Sequence, residues 1–70
     1  MMPLTFAPVG TPAVIRKIIG KDDVRQHLAE LGFVAGQEVT VVSSLNGNLI
    51  INVKGSRIAL DQKMAQRVML

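Results

Sequence analysis

LAELGFVAGQEVTVV, residues 28–42, holds the end of a helix, a turn and the start of a strand, and the rest of the chain is organised around it. Leu28 and Leu31 supply the apolar face of a helix that ends at Gly32, where a left-handed cap is expected. Phe33 is placed to pack back over that last turn. Gly36 permits a second tight turn. Gln37-Glu38 then leads into the β-branched run Val39, Thr40, Val41, Val42, which reads as a strand. Helix, turn and strand therefore agree locally over fifteen positions.

The rest of the chain is small around this unit. Seventy residues make one domain, 1–70, near the size where a single core is barely sufficient. There is no cysteine, so no disulfide or thiolate metal site can add stability, and the 49% apolar content must supply it by packing. No apolar run approaches the ~18 residues that a membrane-spanning helix needs, so no direct membrane insertion is expected. The start, Met-Met-Pro-Leu-Thr-Phe, lacks the basic region and apolar core of a secretory signal, which makes the cytoplasm the expected location. Net charge is +3, and Arg16, Lys17, Lys21, Arg25, Lys54, Arg57, Lys63 and Arg67 are scattered rather than gathered in a stripe. That distribution reads as an ordinary solvated surface.

Residues 1–12 hold all three prolines and read as an extended N-terminal arm, with Leu4 and Phe6 tucked into the core. Ala13 to Ile19 reads as a first strand ending at Gly20. Its alternation is imperfect, because Ile15 and Ile18 have opposite parity, and a bulge near Arg16-Lys17 would reset it. Asp23 as cap and Gln26 three residues on make a capping-box pattern for a helix over about residues 23–31. Val24, Leu28 and Leu31 form its apolar stripe. Such a helix is too short to persist alone and must lie on a sheet.

Facing residues of an antiparallel pair share a side of the sheet, so the two later turns can be tested by register. Pairing Val39 and Val41 with Ile51 and Val53 needs an odd loop. The pattern therefore predicts a three-residue Leu45-Asn46-Gly47 turn, against the two-residue signal of Asn46-Gly47. Leu45 is then expected on the inner face. A two-residue Gly55-Ser56 turn would pair Val53 with Ile58 and Ile51 with Leu60. Asp61 caps a helical turn over residues 61–65, and Gln66 to Leu70 form a last strand beside the first. Five short strands with one inserted helix suggest a mainly β, closed or nearly closed small barrel.

Little in this chain supports catalysis. His27 is the only histidine, and Ser43, Ser44 and Ser56 have no base at a recognisable spacing. His27 with Glu30 and Asp23 offers only a weak surface site for a divalent ion, and no resident cofactor is expected. Nucleic acid is not an expected partner, since Phe6 and Phe33 are the only aromatic residues on which bases could stack. What remains is apolar surface. With the inner faces assigned as above, Val42, Ile50 and Met69 point outward, and Arg57 and Arg67 could frame them as a docking patch or a self-association surface.

Taken together, Ile15-x-x-Ile18, Leu28-x-x-Leu31-Gly32-Phe33-x-x-Gly36-x-x-Val39, Gly55-x-x-Ile58-Ala59-Leu60 and Ala65-x-x-Val68 resemble the FeoA-like family of bacterial ferrous iron transport. The resemblance covers residues 13–70. It implies a Src-homology-3-like barrel with an inserted helix. It also implies a cytoplasmic accessory role beside the membrane ferrous iron transporter B, through contact with that transporter's G-protein-bearing part. It supplies no catalytic residue. The same barrel occurs in metal-dependent repressors, so a stand-alone metal-responsive regulator is the alternative.

Overall fold

A computed structural model describes residues 1–70, with a 3-10 turn at Leu4–Phe6 and then β1 (Pro12–Val14), β2 (Lys17–Ile18), α1 (Asp22–Glu30), β3 (Glu38–Leu45), β4 (Asn48–Val53), β5 (Ser56–Leu60), α2 (Gln62–Ala65) and β6 (Val68–Met69). The helix-to-strand unit forms as its residues dictate. Gly32 adopts φ +102 and closes α1. The Phe33 N–H donates to the Leu28 carbonyl at 2.9 Å and the Gly32 N–H to that of Ala29 at 3.0 Å. These are the paired bonds of a Schellman cap, and the two residues that bracket it, Leu28 and Phe33, are both fully buried. The helix start differs from expectation. Lys21 is the N-cap and makes no side-chain bond. Asp23 lies two residues too far in, and its Oδ1 accepts only the N–H of the next residue, Val24, at 2.9 Å. No capping box forms. Asp22 and Asp23 instead place negative charge on the first turn, where the helix dipole favours it.

The expected first strand is two strands. β1 pairs antiparallel with β3, whereas β2 pairs with β6. Ile15 sits at the break, buried, with its N–H donating to the Gln37 carbonyl and its carbonyl accepting from Gly36. The opposed parity of Ile15 and Ile18 marks a crossing between sheets rather than a bulge within one. The barrel therefore has six short strands, ordered β1-β3-β4-β5 in one sheet and β2-β6 in the other. The N-terminal arm covers the far edge of β6 through reciprocal bonds between Met2 and Leu70. Leu4 is fully buried as expected, but Phe6 is 72% exposed, because the 3-10 turn carries it to the outside.

The hairpins correct the turn assignments while keeping the faces. Val39 pairs with Val53 and Val41 with Ile51, as the apolar pattern requires. Yet the β3–β4 turn is the two-residue Asn46-Gly47, with both φ angles positive. The odd residue lies inside β3, where the register shifts between Val41 and Ser43 and leaves Val42 as a bulge. That bulge reverses the parity beyond it, so Leu45 is 73% exposed rather than inward. The next turn is Lys54-Gly55, not Gly55-Ser56. Val53 pairs with Ser56, Ile51 with Ile58 and Leu49 with Leu60. A slip of two residues leaves every side chain on its intended face.

The helical turn α2 is capped as read, Asp61 Oδ1 accepting the Met64 N–H at 2.9 Å. Asn48 Oδ1 takes the Gln62 N–H as well, tying α2 to the start of β4. Ala65 and Val68 bring the last segment onto a core of Leu4, Ile15, Leu28, Phe33 and the inward strand residues. No buried side-chain polar atom lacks a partner, and the core contains no polar residue.

Candidate functional site

The polar residues singled out in the sequence are not assembled into a reactive centre. His27, Glu30 and Asp23 are all exposed along α1. No three His, Asp or Glu side chains are grouped so that they could hold a metal ion. The only ion pair joins Arg25 to Asp22 across 3.8 Å at the surface.

Two open surfaces remain. The first is the outer face of the four-stranded sheet. Ile50 stands 41% exposed between its cross-strand neighbours Ser43 and Ala59. Leu45, turned outward by the bulge, joins them at the rim of a hollow of about 390 Å³. Val42 occupies the bulge beside the Ser43–Ile50 pair. Arg57, paired with Asn52, lies one step along the same face. The structure thus brings Val42, Ile50 and Arg57 onto one sheet. Met69, paired with Lys17, belongs to the two-stranded ribbon, and exposed Arg67 immediately precedes β6. The sequence reading missed Leu45, because only the bulge brings it to this side.

The second surface is a groove of about 720 Å³ between α1 and the β1–β2 crossing. Arg16 and Lys17 line one wall and Asp22, Arg25 and Gln26 the other. Ile18, Val34 and Ala35 offer apolar contact above the buried Phe33. Sequence inspection saw these cations as scattered. The one available signal was the parity break at Ile15–Ile18, which marks where Arg16 and Lys17 leave the main sheet.

Two sheets around one apolar interior, with a helix inserted between β2 and β3, make a Src-homology-3-like small barrel. Comparison with known proteins narrows this class. The model of the FeoA domain family matches residues 2–70. A Methanocaldococcus jannaschii protein whose provisional name is Fe(2+) transport protein A is 34% identical over 70 residues, covering 100% of this chain and 85% of that protein. A crystal structure of the iron uptake regulatory protein FeoA superposes with a TM-score of 0.89 at 31% identity, covering 96% of this chain and 91% of that one. FeoA of Stenotrophomonas maltophilia complexed with zinc, described as a procaryotic SH3 domain protein, gives 0.84 at 33% identity over 99% of this chain and 88% of its own. The chain belongs to the FeoA family.

Proposed function

We propose that this protein is a cytoplasmic, non-enzymatic accessory of ferrous iron uptake that docks on the membrane ferrous iron transporter B through its cytoplasmic G-protein region. The observation that carries this reading is the family match across residues 2–70, which spans the whole barrel. The barrel's chemistry agrees with it. Its interior is sealed and apolar, so work must be done by contact at the outside. No helix is long and apolar enough to cross a membrane. The outer sheet face, with Val42, Ile50 and Arg57, is proposed as one contact surface. Arg67 and Met69 on the ribbon side are the other residues proposed to meet the partner. The test is calorimetric titration of the chain with the transporter's soluble cytoplasmic region. Saturable binding is expected; no binding at high micromolar concentration contradicts the proposal.

A second reading is favoured by the zinc in the Stenotrophomonas maltophilia relative. In it, the barrel is a metal-responsive regulator whose divalent transition metal meets His27, with further donors from outside the chain, since Glu30 and Asp23 are not gathered around that ring. Zinc or ferrous titration followed at the His27 ring resonances tests it. Unmoved His27 signals at saturating metal remove this reading.

A further inference from the structure

We propose that the groove beside α1 seats an acidic, extended polypeptide segment of the docking partner. The inference rests on the docking reading above and adds the place and the chemistry. Arg16, Lys17 and Arg25 line the groove against a single carboxylate, Asp22. That carboxylate reaches only Arg25, at 3.8 Å, with the two side chains 54% and 99% exposed. Such a pair holds little energy and yields readily to a better-placed anion. Arg16 and Lys17 have no carboxylate partner at all, since the Arg25–Asp22 contact is the one ion pair in the molecule.

The wall that carries these cations is fixed. The Arg16 N–H donates to the Met69 carbonyl at 2.8 Å, and the Ile15 carbonyl accepts from Gly36 at 2.7 Å. β2 pairs with β6 alone, so no strand occupies its other edge. By contrast, the far edge of β6 is already taken by the N-terminal arm. An extended segment laid along β2 would direct acidic side chains to Arg16, Lys17 and Arg25, and apolar ones between them onto Ile18 and Val34. Alternating acidic and apolar residues are the complementary chemistry. A nucleic acid fits less well, because the only aromatic ring of the groove, Phe33, is fully buried and offers no face for a base.

The experiment is a ¹⁵N NMR titration of the chain with a short peptide alternating Asp and Leu, and with its Asn–Leu counterpart. Expected are shifts at Arg16–Ile18, along α1 and at Val34–Ala35, with the Asn–Leu peptide about tenfold weaker because exposed ion pairs are individually small but act together. R16E/R25E should lose about tenfold in affinity for the Asp–Leu peptide, while K63E on α2, exposed and outside both proposed contact surfaces, changes nothing. Unshifted Val41, Ile51 and Val68 signals in R16E/R25E show that the fold is kept. Absence of shifts, shifts centred on Ile50 and Ala59, equal binding of both peptides, or tighter seating of a single-stranded oligonucleotide would each overturn the proposal. The transporter's cytoplasmic region separates the two claims. Equal binding of it by the wild type and R16E/R25E defeats the groove and leaves docking intact. Failure to bind it, with the Asp–Leu peptide still seated, defeats docking on that transporter and leaves the groove.

Discussion

The outer face of the four-stranded sheet and the groove beside α1 are both open to a partner, for different reasons. On the sheet, cross-strand pairing has used the backbone, and what projects around the hollow is largely apolar, Leu45, Ile50 and Ala59, with Ser43 among them and Arg57 a step away. In the groove the backbone edge of β2 has no strand beside it, and what projects is mainly charge. The first surface would bind by burying area and respond little to salt. The second would attract from a distance, give register to an extended chain and weaken as ions screen it. A small barrel can thus divide affinity and orientation between two faces that share one interior.

The largest expected effect tests that shared interior. Phe33→Ala removes a fully buried ring beneath the groove and should cost about 3–5 kcal/mol, enough to unfold much of so small a domain. Chemical denaturation followed by circular dichroism measures it. A loss below about 1 kcal/mol would mean that the groove side is not anchored in the core as described. Gly32→Ala comes next. It forces a side chain into φ +102 and sets its Cβ 3.0 Å from Val53 Cγ1. A cost of about 1–2 kcal/mol is expected in the same assay, and a neutral result would contradict the Schellman geometry.

A finer comparison sets the two helices against each other. Asp61→Ala should cost about 1 kcal/mol, because Asp61 caps α2 through the Met64 N–H. Asp23→Ala should cost less than about 0.5 kcal/mol, because its only bond is to the adjacent N–H. Thermal melts of the two variants side by side decide this, and a reversed order would restore Asp23 as the cap of α1. The smallest effect belongs to the sheet face. Ile50→Ser should change stability by no more than about 0.5 kcal/mol while weakening partner binding. A larger loss of stability would show that Ile50 belongs to the core and not to a docking surface.

What the sequence revealed follows the range of the interactions involved. Gly32 and Phe33 were readable because a Schellman cap is written within six residues. The facing of Val39, Val41, Ile51 and Val53 was readable because a period of two permits only one dry side. The position of the odd residue was not. A loop of three and a bulge at Val42 satisfy the same pairing, and the Asn46-Gly47 signal, which favours the bulge, is set aside when the strand is read as unbroken. The second turn failed for a related reason. Gly55 was recognised as the turn residue, but Lys54 also takes a positive φ, which its side chain does not advertise. The groove was illegible because Arg16, Lys17 and Arg25 meet across a helix and a strand crossing. Spacing along the chain shows only the parity break at Ile15–Ile18, and nothing in it points to Arg25.

Calorimetric titration of the chain with the transporter's soluble cytoplasmic region, run at low and at physiological salt, decides whether the two surfaces dock together. Saturable binding that weakens as salt rises and survives in part at the higher concentration is expected, since one proposed contact is ionic and the other apolar. No heat at either salt concentration, with the folded chain at high micromolar concentration, would contradict it.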